Sequence, residues 1–206
     1  MRKSTCLLAL CLTFAIAAPL ASGKNLQFTF KGLQAIAESD TTDPSGCIET
    51  FISLNSINGS IKQVGGPVMS SAMFMFVSEA NNCTQTQLIL AFGSTPLAPG
   101  AFQIDNALKS ASLDATLELG DLVSNTSLPA TVSLTWTGSG QPGGFELHEN
   151  FRQPAFGLKT TTRDSGTFRS ATATGSVTLS GVDLLSGTPI GGSLGSVKQG
   201  EVDVSH

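Results

Sequence analysis

The chain has no tyrosine and a single tryptophan, Trp136, among its 206 residues. The rings on which sugar-binding surfaces usually stack their ligands are therefore all but missing. Histidine is nearly absent too, with only His148 and the terminal His206, which excludes a catalytic zinc held by three histidines. Charge is sparse, 13% of residues, and acidic in balance, with 15 Asp and Glu against 11 Lys and Arg. Neutralising a phosphate backbone needs a basic stripe that such a chain does not offer, so nucleic acid is disfavoured as a partner. No apolar run reaches the roughly 20 residues that span a bilayer as a helix. No helical periodicity stands out either, and the abundance of Gly, Ser and Thr suits an extracellular all-β protein.

The N-terminus has the form of an export signal: Arg2 and Lys3, an apolar run from Cys6 to Ala18, then the small residues Ala21-Ser22-Gly23. Residues 1–23 are expected to be removed, leaving 24–206 as one all-β domain of 183 residues, long enough for a sizeable core. No cysteine follows the small residues and no apolar tail closes the chain at Glu201-Val-Asp-Val-Ser-His206. A lipid anchor is thus not expected. The expectation is a secreted or periplasmic protein that does not span a membrane after cleavage, with nine basic residues against fifteen acidic ones.

Cys6 and Cys11 leave with the signal, and Cys47 and Cys83 remain. In an oxidising compartment they should pair. Closing a loop of 36 residues stabilises by roughly 3 to 4 kcal/mol on the chain-entropy model. Neither Cys-x-x-Cys spacing nor a histidine cluster favours a metal or redox pair instead. Parity places Ile48, Ile52 and Leu54 on one apolar face and Leu88, Leu90 and Phe92 on another, so both cysteines point away from the main core as a staple at two strand beginnings.

Alternation of apolar and polar residues is clearest in Leu113-Asp-Ala-Thr-Leu-Glu-Leu119 and Ala130-Thr-Val-Ser-Leu-Thr-Trp136. These read as a half-buried hairpin with Leu113, Ala115, Leu117, Leu119, Ala130, Val132, Leu134 and Trp136 inside. Further strands are expected at Leu26 to Gly32, Ile48 to Ile57, Ala72 to Val77, Cys83 to Gly93, Phe102 to Asp105, Phe145 to Phe151, Phe156 to Thr162, Phe168 to Leu179 and Gly195 to Val204. The run Ala72 to Val77 is apolar on both parities and reads as covered on both sides. Glu38 to Gly46 reads as a loop and Asn58-Gly59 as a turn. Two prolines make Ser94 to Gly100 a connection. The resulting fold class is an antiparallel β-sandwich of about ten strands, with a closed β-barrel as the alternative.

Candidate chemistry is thin. In Phe145-Glu-Leu-His-Glu-Asn-Phe-Arg152 one strand face carries Glu146, His148, Asn150 and Arg152, a set able to bind a polar ligand or to do acid-base work. Lys159, Arg163 and Arg169 extend it into a locally basic patch suited to an anionic polymer. The plainer reading is a solvated strand face with edge-protecting cations. Glu38, Asp40 and Asp43 form an acidic group that matches no calcium-loop spacing. Gly191-Gly-Ser-Leu-Gly195 fits Gly-x-Ser-x-Gly, but no helix pattern follows it and no suitable histidine accompanies it. Asn58, Asn82 and Asn125 stand in glycosylation sequons that matter only in a eukaryotic secretory host.

Gly46-Cys-Ile-Glu-Thr-Phe51, Cys83-Thr-Gln-Thr-Gln-Leu88, Val132-Ser-Leu-Thr-Trp-Thr-Gly138, Gly166-Thr-Phe-Arg-Ser-Ala171 and Gly195-Ser-Val-Lys-Gln-Gly200 resemble a group of small exported bacterial proteins with no established activity. The likeness covers nearly the whole mature chain. It implies a complete chain of bacterial origin and carries over no functional residue. The leading expectation is a non-catalytic binding or surface-interaction domain, without a cofactor, that meets an envelope or matrix polymer or protein through a sheet surface. The alternatives are a small-molecule carrier, and a hydrolase or lyase using Glu146, His148 and Arg152.

Overall fold

The computed structural model describes residues 29–63, 66–153 and 158–199. The expected export signal, Leu26, Phe28, Phe156 and the segment from Gly200 to His206 lie outside them. Eleven strands follow in order: β1 (Thr29–Thr42), β2 (Ile48–Gln63), β3 (Gly66–Asn81), β4 (Thr86–Pro96), β5 (Phe102–Ile104), β6 (Ser110–Asp121), β7 (Thr126–Gly138), β8 (Gly143–Gln153), β9 (Leu158–Leu179), β10 (Val182–Asp183) and β11 (Ile190–Gln199). The described residues contain no helix and every pairing is antiparallel.

Hydrogen-bonded neighbours run β10-β9-β11-β1-β2-β3-β4-β6-β5, with β7 between β6 and β9 and β8 on β9. The pairings therefore return to β9, but at one place the ring is pinched. β4 and β6 share only the pairs Ala91↔Asp121 and Phe92↔Gly120. The result is a sandwich-like all-β fold rather than an evenly laddered barrel.

The core forms where alternation points inward. Leu113, Leu117 and Leu119 of β6 and Ala130, Val132, Leu134 and Trp136 of β7 meet Ile52 and Leu54 of β2, Met73, Met75 and Val77 of β3, and Leu194 of β11, all buried. The hairpin reading of β6 and β7 thus holds, except that the strands extend to a turn at 122–125 and Ala115 is half-buried.

Several expectations are corrected. Asn58-Gly59 is no turn: it lies within β2, where Gly59 pairs with Gly32. A Cβ on either glycine would overlap the other's backbone and the Phe30 ring, so these glycines serve close packing rather than chain reversal. Glu38 to Thr42 is strand, because Glu38 to Thr42 pairs with Glu49 to Ser53, and the true turn is Asp43 to Cys47. β4 runs on to Pro96. Proline is tolerated there because the neighbouring ladder to β6 has already ended. Residues 158–179 are one continuous strand, not two. In β4 the parity is reversed: Ala91 is buried, Ile89 packs on the core, and Leu88 and Phe92 are exposed. A register shift between Glu79 and Ala80 accompanies this phase.

The disulfide Cys47–Cys83 is present, with Cα atoms 5.2 Å apart. It joins the end of the β1–β2 turn to the β3–β4 turn, outside the core. Cys83 sits within that turn rather than at the start of a strand.

Candidate functional site

The β8–β9 ladder places the predicted polar surface in register. His148 pairs with Arg163, Glu146 with Ser165, and, by backbone register alone, Arg152 with Lys159, so Glu146, His148 and Arg163 share one face of this hairpin. Glu146, His148 and Arg163 are exposed. Arg169 has the same parity but lies six residues farther along β9, half-buried, with its Cδ close to the backbone of Gly138. The opposite face carries Phe145 against Phe168, ring centroids 4.9 Å apart. Each ring lies over a cross-strand glycine, Gly166 and Gly195 respectively. The polar group lines neither of the two concavities described below.

One concavity lies on the outward face of β2 to β4. Across this face the registers set Ser53 beside Phe76 and Phe76 beside Phe92; one step along, Asn55 lies beside Phe74 and Phe74 beside Ser94. The side chains of Ser53, Asn55, Phe74, Phe76, Phe92 and Ser94 line a groove of about 310 Å³. Phe92 is 54% exposed. Phe51 packs on Phe76 at 6.1 Å. Asn55 Oδ1 is buried at the groove and accepts no hydrogen bond. The sequence reading of β3 as covered on both sides is corrected here: Met73, Met75 and Val77 are buried, whereas Phe74 and Phe76 are half-buried beneath an open surface.

Ser94 also lines a second concavity of about 510 Å³, with Thr95, Thr116, Leu117, Glu118, Pro129, Ala130 and Thr131. It opens where β4 and β6 part company beyond the Phe92↔Gly120 pair. Backbone alternation explains the opening. Leu122 N donates to Leu90 O, and Asp114 N donates to Ala101 O of the β5 approach. Even-numbered residues of β4 and β6 therefore aim their backbone groups at each other, and between these closures Ser94, Thr116 and Glu118 face a stretch without ladder pairs.

One carboxylate holds the pinch together. Asp121, buried, accepts from Leu90 N (3.0 Å), Val123 N (3.1 Å) and Ser124 N (3.1 Å), and from the Ser124 hydroxyl. The Ser124 hydroxyl and the Leu90 amide lower its pKa to about 2. Asp43 plays the same part in the β1–β2 turn. Its carboxylate accepts from the Ser45 hydroxyl (2.7 Å), Ile48 N (2.8 Å) and Cys47 N (3.0 Å), which lowers its pKa. That carboxylate is thereby turned onto its own loop, while Glu38 and Asp40 are exposed on β1. No group of three potential metal ligands occurs among the described residues.

Gly191 to Gly195 is part of the β11 ladder with β1 and β9, not a strand-to-helix elbow. Of the sequon asparagines, Asn125 takes a positive φ of 57° in the β6–β7 turn, Asn82 donates to Glu49, and Asn58 lies within β2. No described helix is long and apolar enough to cross a membrane. Comparison with protein families, curated proteins and solved structures finds no match.

Proposed function

We propose that the protein is an exported, non-catalytic binding domain that meets an envelope or matrix component through the outward face of β2 to β4. The observation that carries this reading is the open aromatic groove with Phe92 at its rim. An exposed apolar surface of this kind, bordered by polar residues, is characteristic of an interaction site. The grooved sheet face is built from backbone pairing in β2 to β4, so it is held in shape before any partner arrives. Neither described concavity is lined by the polar β8–β9 face, and catalysis needs a shaped site around its charged groups.

The test is sedimentation of the mature chain with isolated cell-envelope and matrix material. Saturable co-sedimentation is expected, lost in the double variant Leu88→Ser and Phe92→Ser and retained in His148→Ala. Loss with His148→Ala alone would move the site to the β8–β9 face and sink the proposal.

A further inference from the structure

The charges around the aromatic groove have one sign. The β1–β2 register places Glu38 beside Ser53 and Asp40 beside Phe51, so a carboxylate row flanks the groove about two strand spacings, roughly 10 Å, from Phe76. On the other side Glu118 lies next to Gly93, whose added Cβ would touch the Glu118 backbone, and its carboxylate accepts from Ser127 Oγ (2.6 Å). Among the described residues no cation lies beside them on this face. Lys31, Lys62 and Lys198 are exposed near the ends of their strands, seven or more residues along from the rows of Glu38 and Asp40, Lys109 directly precedes β6, and Arg163 and Arg169 belong to β9. Glu38, Asp40 and Glu118 form no ion pair among the described residues.

This pattern discriminates between occupants of an apolar sheet face. A second copy would bring the same carboxylates against these, and an anionic lipid surface would be repelled by them. A basic partner is attracted on both flanks. Alongside the groove lies a strand interval where Ser94 of β4 and Thr116 and Glu118 of β6 present backbone groups without ladder partners, which suits a main chain that brings its own N–H and C=O groups.

We infer that the groove and the adjoining β4–β6 opening form a single binding site for an extended polypeptide segment in which apolar residues alternate with Lys or Arg. The apolar side chains occupy the space between Phe74, Phe76 and Phe92. The cations reach Glu118 on one side and Glu38 and Asp40 on the other, and the segment's backbone bonds in the Ser94–Thr116 opening. This inference rests on the binding reading above and adds the class of partner.

The experiment is fluorescence anisotropy of the mature chain with a labelled, end-blocked peptide alternating lysine with valine and phenylalanine, beside the same peptide with glutamate for lysine. Saturable binding of the lysine peptide is expected, with the glutamate peptide about tenfold weaker or worse, and with the preference shrinking as salt is raised. Phe92→Ser should weaken binding about tenfold and Glu118→Gln about threefold, both at an unchanged melting midpoint. Equal binding of the two peptides, no saturable binding, or indifference to both substitutions overturns the inference. Absent peptide binding with retained, Phe92-dependent envelope co-sedimentation discards the cationic segment while leaving the sheet face as the site. A concentration-dependent dimer abolished by Phe92→Ser gives the face to a second copy instead and likewise overturns it.

Discussion

The indole Nε1 of Trp136 donates a 2.8 Å hydrogen bond to the carbonyl oxygen of Ile36, tying β7 to β1 through the core. Gly192 makes room for this contact. A Cβ there would overlap the Ile36 oxygen and press on the indole ring at 3.2 Å. Gly192→Ala is expected to destabilise by about 1 to 3 kcal/mol through overpacking. Trp136→Phe should cost a similar amount, about 1 to 3 kcal/mol, by removing the indole hydrogen bond and leaving part of the site empty. Urea unfolding followed by circular dichroism measures both. Because the two residues share one contact, the double variant should fall short of the sum of the singles.

Asp121 makes the pinch between β4 and β6 sensitive to acid. Its folded pKa of about 2 lies below the ordinary value of 3.8. The stability it contributes is therefore present above about pH 4 and is lost as pH falls toward 2. Asp121→Asn should lower the unfolding midpoint at pH 7, and the gap to the unsubstituted chain should narrow between pH 4 and pH 2. A gap that stays constant across that range would show that the carboxylate's charge is not what holds Leu90.

Reduction of Cys47–Cys83, or the double substitution to serine, should destabilise by roughly 3 kcal/mol, since the bridge closes a 36-residue loop. The bridge ties together two turns outside the core, so the fold is expected to survive. Denaturant midpoints with and without reductant give the value, and unchanged far-ultraviolet circular dichroism in water checks the survival.

Gly59→Ala should cost about 1 to 3 kcal/mol, because the new methyl meets the backbone of Lys31 and Gly32 and the Phe30 ring. Gly143→Ala, where no heavy atom lies within 4 Å, should stay within about 0.5 kcal/mol of the parent. Equal thermal midpoints for the two variants would restore the reading of Gly59 as a turn residue.

The candidate site was legible only in part. Glu146 and His148 were visible as a polar strand face, and the structure puts them in register with Ser165 and Arg163. The aromatic groove was missed. Phe74, Phe76 and Phe92 are large and apolar, and size argued for burial, whereas the inward places in β4 went to Ile89, Ala91 and Gly93. The one available signal was Gly93 between Phe92 and Ser94: a glycine inside a strand marks close approach of another backbone, here that of Glu118.

What the sequence by itself determined is the class of structure and the inner face wherever alternation is strict, as in Leu113 to Leu119 and Ala130 to Trp136, because period two leaves a strand with one wet side no other choice. The pairing of Cys47 with Cys83 belongs with it, these being the two cysteines outside the expected export signal. The tertiary structure alone decided which side of an all-apolar strand is covered, which glycines are packing contacts rather than turns, and where the ring of strands is pinched. Those outcomes depend on partners distant in the chain: Phe30 over Gly59, Glu118 against Gly93, Asp121 reaching Leu90. Local spacing carries no information about which distant backbone will arrive there.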